Sequence, residues 1–327
     1  MANGSKGFES TGGSWRGDGL RCGSGPSCAA GPLRNASHQS ASLLRDACPQ
    51  SASTPCKCNG NLGAIALPDA HCHVAFMERP TAFTEQASTA GATILSVTVA
   101  PEEFREMESG HTAAEPANES VRTALGLHPW WVPENDQELY ALLEGFDALL
   151  PHAQFIGEVG LDFSKRRERT RAQQLQAFRH IIGSATESDV RALSLHCVNA
   201  YPEALHELEE SGCAEQCHCI FHWFSGSSQQ LNYAIDMGCW FSVGERMLQT
   251  KRGREYAKAI PQNRLLLETD APKAESPEVR HPAVPYSFAE HQAELRRTLQ
   301  QLAELRKTQP EDLAAIIRAN IQDILGK

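Results

Sequence analysis

The sequence predicts an α/β fold, a (β/α)8 TIM barrel behind a disordered N-terminal extension, and three observations predict it. Eight short apolar runs lie between residues 64 and 270, helical patterns separate them, and histidines and carboxylates recur at the ends of the runs. Strand alternating with helix eight times is the pattern of a closed parallel sheet covered by helices. At 327 residues and 41% hydrophobic, the chain has material for one large domain of this kind.

Residues 1–65 are low-complexity sequence. The stretch GGSWRGDGLRCGSGPSCAAGPL is rich in Gly, Ser, Ala and Pro and has neither helical nor strand period. Such a composition cannot bury enough apolar surface to offset its ordering entropy, so disorder is expected. This segment carries Cys22, Cys28, Cys48, Cys56 and Cys58, five of the eleven cysteines. No export signal accompanies them, so free thiols, small buried hydrophobes or a metal cluster are expected rather than disulfides. The spacing around Cys56 and Cys58 fits no standard zinc finger.

The texture changes at residue 66, and residues 66–327 read as the barrel domain. The candidate strands are AIALPDAH (64–71), ATILSVTV (92–99), VRTALGLH (121–128), QFIGEVG (154–160), RALSLH (191–196), CHCIFHWF (217–224), CWFSVG (239–244) and RLLLETD (264–270). Between them, ENDQELYALLEGFDALL and RTRAQQLQAFRHIIGSATES place Leu, Phe and Ile at three- and four-residue steps, the helical period. After the eighth strand, SFAEHQAELRRTLQQLAELRK and QPEDLAAIIRANIQDILG read as two closing helices, the second entered through Pro310 with acidic residues in its first turn.

Charge narrows the partners. A formal net charge of -10 argues against a broad basic surface gripping duplex nucleic acid, so any phosphate contact has to be local. The strongest basic run is SKRRERTR (164–171), which reads as a solvated helix start or as a guide for a phosphate backbone. There is no run of 18 apolar residues for a membrane span and no secretory pattern, so a cytoplasmic protein is expected.

In a barrel of this type the active site lies at the C-terminal ends of the strands, where the last inward polar side chains collect. His71 and His73 end the first candidate strand, His128 the third, Glu158 the fourth, His196 the fifth, His222 the sixth and Asp270 the eighth. Alternation sorts the neighbours: His218, Ile220 and His222 share one face of the sixth strand, while Cys217, Cys219 and Phe221 share the other. Cys213, Cys217 and Cys219 are therefore expected to pack against helices, as is Cys72 between His71 and His73. The four imidazoles of His71, His73, His196 and His222 with the carboxylates of Glu158 and Asp270 form the nitrogen and oxygen set that two divalent ions require. Zn2+, Mn2+ and Mg2+ all suit such a set.

At these residues the chain resembles the TatD family of metal-dependent deoxyribonucleases, within the amidohydrolase-like barrels. The matching motifs are DAHCH (69–73), LGLHP (125–129), IGEVGLDF (156–163), LSLH (193–196), FHWFSGS (221–227), FSVG (241–244) and LLLETDAP (265–272). The resemblance implies that His71, His73, Glu158 and Asp270 hold one metal and that Glu158, His196 and His222 hold the second. It implies a substrate-binding role for His128, toward a phosphate. The chain departs from the family pattern with Trp223 in HWFSG, with CVNA after His196, and in ETDAPKAESPEVRHP, which lacks the usual Tyr and Arg-Asn pair. FHWFSGS together with GCWFSVGERMLQTKRGREYAKAIP is similar to the TatD-like component of Qat anti-phage systems, which implies other proteins of a Qat-type defence system as partners.

The activity these readings imply is phosphodiester hydrolysis by a deoxyribonuclease acting on single-stranded DNA or strand ends, with Glu158 and Asp270 as catalytic residues and Asp270 as the base. Glu268 and Asp162 are expected either to orient ligands or to cap loops. Two rival readings are an amidohydrolase acting on a small cyclic amide or lactone, and a non-catalytic barrel scaffold. The fourth strand ends in Glu158 and contains no lysine to bridge metals, which disfavours the first rival.

Overall fold

A computed structural model describes residues 65–109, 119–273 and 283–326. The low-complexity extension, with Cys22, Cys28, Cys48, Cys56 and Cys58, lies outside the described residues apart from Ile65. Eight strands follow in chain order: β1 Asp69–Cys72, β2 Ile94–Val97, β3 Val121–Leu127, β4 Phe155–Asp162, β5 Ala192–Val198, β6 His218–His222, β7 Trp240–Val243 and β8 Leu265–Leu267. They form one parallel sheet in the order β1 to β8. The result is a nearly closed TIM-type barrel. Its seam is closed by the chain just after β8, which meets β1 and the residue following it: Asp270 N donates to His71 O at 3.0 Å, and His73 N donates to Ala271 O at 2.7 Å.

The helices are α1 Pro80–Thr89, α2 Pro101–Ser109, α3 Asp136–Leu149, α4 Arg171–Thr186, α5 Tyr201–Glu210, α6 Cys213–Gln216, α7 Ser228–Asp236, α8 Glu245–Gln249, α9 Lys251–Ala259, α10 Phe288–Arg306 and α11 Pro310–Leu325. Their starts follow local chemistry. Asn135 caps α3 by accepting from Gln137 N and Glu138 N, Ser287 and Glu290 form a reciprocal box at α10, and Pro310 opens α11. The helix faces and the outward strand residues make the main core, where Leu139, Phe146, Phe178, Leu208 and Phe241 are buried together. A second cluster joins the strand-start residues Phe155, Ala192 and Trp240 to Ile321, Ile324 and Leu325 of α11. That helix therefore covers the N-terminal end of the barrel and leaves the other end for a site.

The expected strands are present with shifted ends, and backbone conformation accounts for two of the shifts. The sixth was expected to reach residue 224 but stops at His222, because Trp223 turns to a left-handed φ of 42°. The eighth stops at Leu267, and Asp270, expected at a strand end, lies three residues further on with φ 52°. Strand β4 runs on to Asp162, and its register against β3 and β5 shifts between Ile156 and Val159. At this bulge Glu158 N donates to Thr98 O at 2.7 Å and Thr98 N to Gly157 O at 2.9 Å. A bulge re-aims the side chain it carries, and here that side chain is Glu158, which sits in mid-strand and not at the strand end.

The cysteines expected against helices are there. Cys213, Cys217 and Cys219 are buried in the main core, with the Cys213 and Cys219 sulfurs 3.9 Å apart, and Cys72 packs with Val74, Met77 and Phe83. Asp69 ties β1 to distant parts of the chain. It accepts from His71 N (2.9 Å), Thr269 N (3.2 Å), Thr269 Oγ1 (2.6 Å) and His291 Nε2 of α10 (2.8 Å). Among the described residues, no helix is long and apolar enough to cross a membrane.

Two glycines set a test of this packing. Gly160 has φ 141°, and a Cβ there would overlap the carbonyl oxygen of His196, whereas a Cβ on Gly145 in α3 would meet nothing within 4 Å. Gly160→Ala is expected to lower stability by more than about 2 kcal/mol in urea unfolding, through strain beside His196. Gly145→Ala should raise it by about 0.5–1 kcal/mol; equal effects at the two positions would contradict the close approach of β4 and β5.

Candidate metal centre

Seven side chains converge at the C-terminal end of the barrel, all buried except the half-buried Asp270: His71 from β1 and His73 just after it, His128 just after β3, Glu158 from the β4 bulge, His196 from β5, His222 from β6, and Asp270 from the chain after β8. These are the residues singled out from the sequence. Glu158 stands at their centre, and its two oxygens face different groups. Oε2 lies 3.4 Å from His71 Nε2 and 3.4 Å from His73 Nε2, and Asp270 Oδ1 lies 3.8 and 3.5 Å from the same two nitrogens. Oε1 lies 2.7 Å from His196 Nδ1, 3.0 Å from His222 Nε2 and 3.2 Å from His128 Nε2.

The far side of each ring fixes what its near nitrogen can do. His71 Nδ1 pairs with Ser194 Oγ at 2.8 Å, while Nε2 is buried without a hydrogen-bond partner. With its proton on the serine side, that ring presents a lone pair to the two carboxylates, which is the form a metal binds. His196 holds Nδ1 toward Glu158 and places Nε2 3.6 Å from Asp162 Oδ2, the carboxylate–histidine arrangement that raises ligand basicity. His222 faces Glu268 Oε2 with Nδ1 at 3.8 Å, and Glu268 pairs with Ser242 Oγ. His128 is oriented differently: Nδ1 accepts from Trp130 N at 3.1 Å, so a neutral ring carries its proton on Nε2 and donates into the site. The donor set around Glu158 thus fits divalent ions: ligand atoms lie close together in His71, His73 and Asp270, in His71, Glu158 and His222, and in His128, Glu158 and His196, the last only with the His128 Nε2 proton removed, while a further such group, Asp69, Cys72 and His291, lies apart from Glu158.

The electrostatics of the ion-free cluster follow from crowding. Burial would raise the Glu158 carboxyl, but the imidazoles of His128, His222 and His71 outweigh it and hold the group well below the usual range. Burial lowers His71 to about 4, helped by His222, and His128 to about 4, helped by His196. In His73 burial is outweighed by Asp270 and Glu158, which carry it up to about 10, and in His196 by Asp162 and Glu158, which carry it to about 9. Burial dominates Glu268, beside His222, and raises its carboxyl well above the usual range.

Asp162 both caps a loop and faces His196. Oδ1 accepts from Ser164 N at 2.8 Å, and Oδ2 accepts from Trp130 Nε1 at 2.5 Å besides facing His196. The basic run after β4 is largely committed to protein partners. Arg167 donates to Trp130 O at 3.3 Å and lies over its ring, Arg169 pairs with Glu134, and Arg171 pairs with Glu203. Three residues absent from the sequence reading join the site. Ser194 precedes His196 by two positions and shares its face, a signal alternation carries; Ser242 and Arg246 had none. A cavity of about 670 Å3 opens over the cluster, walled by Phe76, Trp130, Trp223 and Arg246 among others.

A family model described as TatD related DNase matches residues 68–326. A protein of Buchnera aphidicola named as an uncharacterized metal-dependent hydrolase is 30% identical over 200 residues, 60% of this chain and 71% of its own. A 3'-5' ssDNA/RNA exonuclease TatD from Salmonella typhimurium is 32% identical over 209 residues, 62% of this chain and 76% of its own. Among solved structures, a TatD homolog from Escherichia coli K12 superposes with a TM-score of 0.59 at 22% identity, covering 80% of this chain and 98% of its own; that likeness speaks to the fold.

The raised histidines set a pH test. His73 and His196, at about 10 and about 9, carry protons at pH 7, and a metal must displace them to reach the nitrogens. The affinity for Mn2+, followed by titration calorimetry, is expected to rise between pH 7 and 9 by up to about tenfold per unit for each proton displaced, with proton uptake by the buffer. Affinity that stays flat over that window would show that no proton is displaced from these rings on metal binding.

Proposed function

This chain belongs to the TatD-related DNase family, a family of metal-dependent hydrolases, and from that premise we propose that it hydrolyses phosphodiester bonds at a two-ion centre, trimming single-stranded DNA from an end. The observation that carries the reading is Glu158, whose two oxygens face two separate groups of ligands. His71, His73, Glu158 and Asp270 would hold one ion, and Glu158, His196 and His222 the other. Bound Zn2+, Mn2+ or Mg2+ would supply an acidified water and positive charge at the phosphate. Asp270 accepts the proton of the attacking water, His128 donates from Nε2 to a phosphate oxygen, and Asp162 holds His196 in place. The name of the Salmonella relative supports a single-stranded DNA or RNA substrate. The cavity of about 670 Å3 supports a terminal nucleotide, being of the size that encloses small ligands.

A cytosolic setting belongs to the same proposal. The six described cysteines are free and buried, which suits a reducing compartment. Partnership with other proteins of a Qat-type anti-phage system is supported only by the motifs around Trp223 and Arg246, and the relatives named above carry hydrolase and exonuclease names instead.

The test is an end-labelled single-stranded oligonucleotide offered beside a panel of cyclic amides and lactones, with Mg2+, Mn2+ or Zn2+. Stepwise shortening from one end, abolished by EDTA, is expected. Glu158→Ala should lose at least about 10³-fold in rate, and His128→Ala about 10²–10³-fold in kcat, the usual cost of one donor to a developing charge. Turnover of an amide or lactone with the oligonucleotide left intact would replace this reading with the amidohydrolase one, and no metal-dependent turnover at all would favour a scaffold.

A further inference from the structure

The mouth of the barrel is electrically lopsided. The chain carries a formal charge of -10, yet Arg246, Arg252 and Lys273 all line the one cavity that opens over Glu158. They come from neighbouring elements: Arg246 lies on α8 and Arg252 on α9, both after β7, and Lys273 follows β8. Trp130 lines the same cavity from the end of β3, on the opposite side of the eight-stranded ring.

Arg246 is the innermost of the three. Its Nη1 lies 3.0 Å from Asp270 Oδ2, and its guanidinium carbon sits 5.4 Å from the centre of the Trp223 ring. Those two partners fix the plane of the fork while using one of its five donors, and the side chain stays 36% exposed, so the remaining N–H groups can meet an anion. Arg252 and Lys273 are exposed, and among the described residues no ion pair holds either one. In the run after β4, Arg167, Arg169 and Arg171 already have partners in Trp130, Glu134 and Glu203, and the exposed Lys165 and Arg166 do not line the cavity.

We propose that Arg246, Arg252 and Lys273 form a cationic wall that takes the backbone phosphates of a bound single strand next to the scissile bond, while Trp130 and Trp223 offer ring surface to its unpaired bases. The proposal rests on the phosphodiester reading and adds the side of the mouth along which the strand lies. A positive track beside aromatic surface is how single strands are held without reading sequence, since every base has a stacking face. Arg246 fixes the innermost phosphate by its fork, a task the point charge of a lysine does less well. The outer pair adds attraction that scales with strand length.

Binding of fluorescein-labelled dT12 and dT3 to the full chain, followed by anisotropy in EDTA, tests this apart from turnover. Two double variants of equal net charge are compared: Arg252→Gln/Lys273→Gln on the wall, and Lys165→Gln/Arg166→Gln on the run after β4. The wall variant is expected to weaken dT12 at least tenfold, with a smaller effect on dT3. It should also flatten the salt dependence of log Kd by about 1.4, at about 0.7 for each phosphate that is no longer neutralised. The post-β4 variant should change dT12 affinity less than threefold. Arg246→Lys, which keeps the charge, should weaken both strands about fivefold and leave the salt slope near that of wild type. Equal weakening by the two double variants would assign the effect to net charge and overturn the wall, as would a wall variant with wild-type affinity and slope. Strand binding of the expected pattern without nuclease turnover would uphold the wall and remove the phosphodiesterase reading.

Discussion

A carboxylate at the centre of a barrel demands positive charge around it, and the structure at this end of the molecule is organised by Glu158 meeting that demand. Taking such a group out of water costs several kcal/mol unless cations or donors surround it. Five imidazole nitrogens lie within 3.4 Å of its oxygens. Without ions, the protons held on His73 and His196 offset the charges of Glu158 and Asp270. Two divalent ions would do so more completely and would free those nitrogens. The surrounding partners then make sense as supports: Ser194 behind His71, Asp162 behind His196, and Glu268 with Ser242 behind His222.

The seam of the barrel serves the same centre. The chain after β8 bonds through Asp270 and Ala271 to His71 of β1 and His73 just after it, so closing the barrel and bringing Asp270 to the two histidines are a single event. Asp69 anchors that junction from below by accepting from His71 N, Thr269 and His291, and through His291 it couples the site to α10. A fully buried carboxylate with four donors rigidifies what it touches, because removing it would leave those donors unpaired. Geometry at the candidate metal ligands therefore depends on a helix that contributes none of them.

Much of this was legible in the sequence, for physical reasons that differ by residue. Strand-length apolar runs between helical patterns marked out the eight strands, and alternation placed Cys217 and Cys219 against the helices. The histidines and carboxylates could be grouped because they recur near the ends of six of the eight strands, which a closed barrel brings to one rim. Strand ends were less legible: the left-handed turns at Trp223 and Asp270 leave no periodic trace, and the bulge that moves Glu158 to mid-strand depends on Thr98 reaching across from beyond β2. Long-range pairing was invisible. The run after β4 reads as free basic charge until Trp130, Glu134 and Glu203 arrive from other elements, and Arg246 sits on a helix of five residues, too short to show a period.

Whether Glu158 serves two ion sites at once can be read by counting Mn2+ bound per chain in equilibrium dialysis, for the wild type and for Glu158→Gln. Two ions per wild-type chain are expected, with loss of tight binding at both sites in the variant, since one carboxylate faces both groups. A single ion in the wild type, or two ions whose affinities survive the substitution, would contradict that expectation.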